Sequence, residues 1–125
     1  MILLDTNVLI EFFKRRNPVH AYLNQLPISQ LAICDVTQAE IIYGALNKAE
    51  LGSLLVGMAG LRSLPITPDI SSTMLQLMRQ YCLSHRLSMP DALIAATALH
   101  YNLPLYTLNY KDFRYIPNLT LHEPI

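Results

Sequence analysis

A chain of 125 residues, 52% hydrophobic and 14% charged, can bury one real core; it is too short for two ordinary domains and too apolar for a disordered segment. Nine basic and nine acidic residues cancel, so any nucleic-acid partner must be met by local basic patches, since no global charge is available to attract it. Cys34 and Cys82 have neither metal-type spacing nor a disulfide framework, which predicts reduced thiols in a cytoplasmic protein.

In chain order, Ile2 to Leu4 is an apolar run suited to an interior strand of a parallel sheet. Its start is too short and lacks the basic flank expected of a signal peptide. Val8, Leu9, Phe12 and Phe13 recur at helical spacing, with Lys14, Arg15 and Arg16 expected in the last turn, where cations suit the helix dipole. Pro18 opens a second short helix carrying Tyr22, Leu23 and Leu26 on one face. Leu31 to Cys34 reads as a second strand. Thr37 to about Asn47 reads as a helix, because Thr37 stands three residues before Glu40 in the form of a capping box.

Residues 49–62 read as a helix weakened by Gly52, Gly57 and Gly60. Its apolar stretch, Leu51 to Leu61, falls short of the ~20 residues a membrane span requires and is expected to face the core or a partner. Leu64 to Ile66 is a candidate strand. Thr67 caps a helix with Pro68 at its first position, running to about Ser84. Ser88 starts another, whose body ALIAATALHY is apolar nearly all round and so should be buried on most sides. Leu105 to Leu108 reads as a strand and Leu119 to Leu121 as a weaker one. Without repeats or linkers, the whole chain, 1–125, reads as a single domain. Alternating strands and helices predict an α/β fold with a mainly parallel sheet covered on both faces.

In such a sheet, ligands bind beyond the carboxyl ends of the strands, where the following helices begin. Asp5 ends the first strand, Glu40 is expected in the first turn of the helix after the second strand, Asp91 in the first turn of the buried helix, and Asn109 and Asp112 follow the late strand. Each has a purely structural reading as a cap or first-turn acid, worth roughly 0.3–1 kcal/mol through the dipole. Taken together, four of nine acidic residues map to one edge. Converging carboxylates repel one another unless a cation neutralises them, and oxygen ligands suit Mg²⁺ or Mn²⁺ over zinc. Asp35 and Asp69 meet the same topological criterion; they rank lower because one sits in a turn-like CDVT and the other beside a Pro-initiated cap. His20, His85, His100 and His122 show no paired metal spacing and are expected in surface or packing roles. No nucleophile elbow and no Gly-rich phosphate loop is present.

LLDTNVLI, TQAEIIYGA, PDALIAATAL and TLNYKDF, in that order over essentially the whole chain, resemble the PIN domain, and more narrowly the toxin subunits of VapBC toxin–antitoxin pairs. The resemblance implies a three-layer α/β/α fold around a mainly parallel sheet of four to five strands. It also implies a Mg²⁺- or Mn²⁺-dependent ribonuclease leaving a 3′ hydroxyl and a 5′ phosphate. By motif, Asp5, Glu40, Asp91 and Asp112 match the family's acids. Thr6 and Asn7 match the polar positions after the first acid, Asn109 matches the polar residue after the last core strand, and Thr107 lies two before it. Asp5 and Asp91 are then expected as direct metal ligands, with Glu40 and Asp112 acting partly through water. Lys14, Arg15, Arg16, Lys111 and Arg114 are candidates for RNA phosphate contacts. A cognate antitoxin and a homodimer are implied partners, with Leu51 to Leu61 a candidate contact. Departures fall at Leu87 to Pro90, where the family often has a Gly or polar residue, and in the apolar, glycine-containing segment after Gly44.

Two competing classes remain. A PIN-like adaptor would use its acids only as caps. An aspartyl-phosphate phosphotransferase would want a second acid at position 7, where this chain has Asn7.

Overall fold

The computed structural model describes residues 1–124. Four parallel strands, β1 (Ile2–Leu4), β2 (Leu31–Cys34), β3 (Arg62–Leu64) and β4 (Leu105–Tyr106), lie in the order β3-β2-β1-β4. Leu3 pairs with Ala32 on one side and with Leu105 on the other. Both faces of β1 and β2 are covered, so every position must be apolar, and ILL and LAIC show no polar alternation.

Six helices cover the sheet: α1 (Thr6–Phe13), α2 (Val19–Asn24), α3 (Asp35–Tyr43), α4 (Lys48–Ala59), α5 (Pro68–Tyr81) and α6 (Met89–Tyr101). The strand period of two divides the core. Leu3, Ala32, Cys34 and Leu105 pack with Ile70, Leu77, Ile94 and Ala95 of α5 and α6. Ile2, Leu4, Leu31 and Ile33 pack on the other face with Val8, Leu9, Val19 and Leu23 of α1 and α2 and with Met58 of α4. This is the three-layer α/β/α arrangement. Helix α6 is buried at every position from Ala92 to Ala98, as its all-round apolar sequence requires.

The connectivity positions the site. From β1 the chain steps outward through β2 to β3, then returns to the opposite side of β1 as β4. The order reverses between β1 and β4, which opens a crevice beyond their carboxyl ends.

Several boundaries depart from the sequence expectation. Helix α1 ends at Phe13, with Lys14 as its C-cap and Arg15 at φ 56°, so the three cations lie in the turn beyond it. Helix α3 starts at Asp35, two residues before Thr37, and ends at Tyr43. Strand β3 occupies Arg62–Leu64 and stops before Pro65, which has no N–H to give the ladder. Strand β4 has only two residues, and the strand expected at 119–121 is reduced to one parallel bridge between Leu105 and Leu121. No helix of the described residues is long and apolar enough to cross a membrane. Both cysteines are free thiols, Cys34 buried and Cys82 half-buried.

Candidate active site

Asp5 leaves β1 directly into the crevice and is 5% exposed. Its Oδ1 accepts a hydrogen bond from the Thr6 N–H at 2.7 Å, and its Oδ2 accepts from Thr107 Oγ1 at 2.7 Å. Thr107 is fully buried just beyond β4 and in turn accepts from the Asn109 N–H at 3.0 Å. The first acid is therefore held by the two strands that flank the crevice. Asn7 Oδ1 accepts from the Leu108 N–H at 3.3 Å, a second tie between the ends of β1 and β4.

Glu40 reaches the crevice from α3. Thr6 Oγ1 donates to its Oε1 at 2.7 Å and also lies 3.0 Å from Thr37 Oγ1. The expected capping box at Thr37 is absent: Cys34 is the N-cap of α3, without a side-chain cap bond, and Thr37 is fully buried inside the first turn. With the helix beginning two residues earlier, Thr37 and Glu40 turn toward Thr6 instead of toward their own backbone. The hydroxyl of Thr37 is a residue of this site that its capping form disguised in the sequence.

Asp91 stands in the first turn of α6, where Ser88 is a true N-cap whose Oγ accepts from the Asp91 N–H at 3.3 Å. Burial, and then the charges of Asp5, Asp112 and Glu40, push the Asp91 carboxyl up to about 6. Asp5 is also raised, first by burial; its bonds from Thr107 and Thr6 oppose the rise, and the charges of Glu40 and Asp112 add to it. Asp112 lies exposed in the short 3-10 turn Tyr110–Asp112, and Asn109 gives that turn no side-chain cap. All four acids thus share one electrostatic field, although they come from four separate segments.

The lower-ranked acids stand outside this cluster. Asp35 Oδ2 accepts from the Ile66 N–H at 3.2 Å, pinning the link between β3 and α5. Asp69 lies exposed in the first turn of α5. Of the candidate cations, Lys14 lines a cleft of about 290 Å³ between α1, α3 and α4 that reaches Glu40. Ile10, Phe13, Ile41, Leu46 and Leu54 supply its apolar walls. Arg16 is paired with Glu11 at 3.2 Å, and Arg15, Lys111 and Arg114 are exposed.

Among the described residues, no three His, Cys, Asp or Glu side chains are drawn together tightly enough to enclose an ion as they stand. The donor set is nevertheless hard oxygen, and two of its members carry ionisation that burial and like charge oppose. Such a cluster fits a cation that keeps part of its water shell, as Mg²⁺ does.

A parallel sheet with acids at the carboxyl ends of its strands, on both sides of the switch point, places the candidate site where open α/β sheets bind their ligands. The sequence matches the PIN domain over residues 2–119. It is 36% identical over 115 residues to ribonuclease VapC10 of Mycobacterium tuberculosis, covering 90% of this chain and 86% of that one. A toxin–antitoxin complex from Klebsiella pneumoniae contains a chain of the same fold, with a TM-score of 0.81 and 31% identity over 100% of both chains. VapBC2 from Rickettsia felis, bound to a DNA fragment from their promoter, gives a TM-score of 0.80 at 25% identity over 98% of each chain. The chain belongs to the PIN-domain family and, within it, to the VapC ribonucleases.

Proposed function

We propose that this protein is the toxin of a toxin–antitoxin pair, a Mg²⁺- or Mn²⁺-dependent endoribonuclease that hydrolyses RNA at Asp5, Glu40, Asp91 and Asp112. The observation that carries this reading is the tie at the sheet's switch point, where Thr6 links Asp5 to Glu40 and Thr107 holds Asp5 from the far strand, with Asp91 raised by burial and then by the other three carboxylates. A stabilising cap has no need of such an arrangement, whereas a cation site does.

Asp5 and Asp91, the two less exposed acids, would hold a cation directly, with Glu40 and Asp112 contributing partly through water. Held there, such a cation would supply positive charge to offset the four carboxylates and the charge built up during phosphodiester hydrolysis. Glu40 has Oε1 occupied by Thr6, which leaves Oε2 to orient the attacking water and take its proton. Thr107 and Thr6 keep Asp5 oriented. Lys14, Lys111 and Arg114 are available for phosphates; Arg16, tied to Glu11, is less so.

The cleft that reaches Glu40 supports docking of a cognate antitoxin. Its wall includes Leu46, 84% exposed, and an apolar segment of a partner laid there would end beside Glu40. Leu54 joins that wall and Val56 of the same helix is exposed, while Met58 and Leu61 belong to the core, so the Leu51 to Leu61 stretch divides between the two roles. A homodimer belongs to the same reading, and light scattering on the isolated chain measures it. The adaptor alternative is weakened because Glu40 and Asp112 do not sit in capping boxes.

The deciding experiment compares wild type, Asp5→Asn and Asp91→Asn, purified without antitoxin, on RNA with Mn²⁺ and with chelator. Cleavage by wild type alone, and only with metal, is expected. Equal cleavage by all three proteins would sink the assignment.

A further inference from the structure

Beyond the four acids, one aromatic cluster on the rim of the crevice has no role in the chemistry above. The His85 ring stacks on the Tyr115 ring, with centroids 3.9 Å apart and planes at 15°. Tyr81 meets Tyr115 edge-on at 4.9 Å and His85 edge-on at 5.7 Å. His85 is exposed and Tyr115 half-buried, and Ser84 Oγ bonds His85 Nδ1 at 2.8 Å, which fixes the plane of the ring.

The two segments that form this stack are the two that deliver acids. His85 precedes Ser88, the cap that orients Asp91; Tyr115 follows Asp112 by one turn. Burial raises the Tyr115 hydroxyl, and the charges of Asp91 and Asp112 add to the rise. Three exposed cations lie in the same segments: Arg86 follows His85 in the chain, Arg114 precedes Tyr115, and Lys111 stands four residues before Tyr115. Among the described residues the only ion pair is Arg16 with Glu11, so none of the three is neutralised by a carboxylate. A flat aromatic ring exposed among unpaired cations is the arrangement by which single strands are held: the cations follow the phosphates and the ring takes a base face. A hydrophobic core needs neither the exposure nor the charges.

We propose that the exposed face of His85, backed by Tyr115, is a stacking subsite for an unpaired base of single-stranded RNA lying beside the scissile phosphate. The proposal rests on the nuclease reading and adds to it where the strand lies and why the substrate must be unpaired there. Arg86 is assigned with Lys111 and Arg114 to the backbone of that strand.

The test measures binding of a short single-stranded oligoribonucleotide carrying 2-aminopurine in an Asp5→Asn, Asp91→Asn background, which leaves the strand intact and removes two of the charges that repel it; the protein with His85 intact in that background serves as wild type. A set of oligonucleotides, each with one abasic position, maps which base is stacked. His85→Ala is expected to weaken binding about fivefold to a hundredfold, the range of one base–aromatic stack, and His85→Tyr to restore it. One abasic position should weaken wild-type binding by a similar factor and have little further effect in His85→Ala. Duplex RNA of the same sequence should show no difference between the two proteins. A flat abasic scan, no binding by wild type, or equal affinity for wild type and His85→Ala overturns the subsite. Loss of RNA cleavage is scored separately with Asp91→Asn, so failure of the subsite and failure of the nuclease reading give different results.

Discussion

Replacing Asp91 by Asn should stabilise the metal-free protein while abolishing its activity. The folded Asp91 carboxyl titrates at about 6 against an ordinary 3.8. Between those two values the folded chain keeps a proton that the unfolded chain has lost. Because the folded state binds more protons, stability falls as pH rises through this window, and the whole cost is present above about pH 6. A rise of that size, at ~1.4 kcal/mol for each pH unit, amounts to roughly 3 kcal/mol, and partial solvent access to Asp91 reduces this to about 2 kcal/mol. The neutral amide that Asp91→Asn introduces avoids that cost and also removes one source of repulsion on Asp5.

Urea denaturation in chelator, at pH values from 4 to 8, measures the effect directly. Wild type should lose stability between about pH 4 and pH 6, and the variant should lose less. At about pH 7.5 the variant should be the more stable protein by about 2 kcal/mol. Adding Mn²⁺ should reverse the order, because a cation that binds only the folded wild type adds RT ln(1 + [L]/Kd) to its stability. A variant less stable than wild type in chelator, or a wild-type profile flat across that window, would refute the claim that burial and the neighbouring carboxylates raise Asp91.

Thr107→Val leaves Oδ2 of the buried Asp5 without its donor, so the Asp5 carboxyl should rise further and the fold should lose about 1–3 kcal/mol at neutral pH, with weaker Mn²⁺ binding by calorimetry. Thr6 has one hydroxyl proton and gives it to Glu40, so Thr37 must donate to Thr6; Thr37→Val should therefore lower kcat several-fold and cost about 1 kcal/mol, with Thr37→Ser restoring both. Leu46→Glu should weaken antitoxin binding at least tenfold in a titration, yet change stability by no more than about 0.5 kcal/mol, since the side chain is 84% exposed.

The layers of the fold are legible in the sequence because burial leaves simple marks. A run such as LLD at the end of a covered strand, or ALIAATALHY in a helix covered on most sides, has few other readings. Asp5 and Asp91 can be found for the same reason: each is a charge adjoining a segment that excludes charge. The boundaries are less legible, since they depend on partners far away in sequence. Strand β3 is set by pairing with β2, which puts Leu64 opposite Cys34 and leaves Ile66 beyond the ladder. Asp35, one residue past β2, looks like another candidate ligand until its bond to the Ile66 N–H is seen. The helix dipole favours the cations after α1 in its last turn, but the helix stops at Phe13 and Arg16 pairs with Glu11.

The most consequential misreading concerns Thr37 and Glu40, and its cause is general. A capping box and a pair of site residues on one helix turn share the same spacing, because both depend on residues three apart facing one direction. What separates them is where the helix begins. Cys34 is the last residue of β2, and α3 follows it with no loop, so the helix starts two residues before the Thr that would have capped it. That direct junction puts the Thr37 hydroxyl in the core, beside Cys34 Sγ at 3.8 Å, where no water can serve it. Thr6, the first residue after Asp5, is the partner within reach, and it in turn holds Glu40. A strand that passes straight into a helix thus turns a local cap into a long-range tie between α1 and α3, and the second acid is oriented by the residue next to the first.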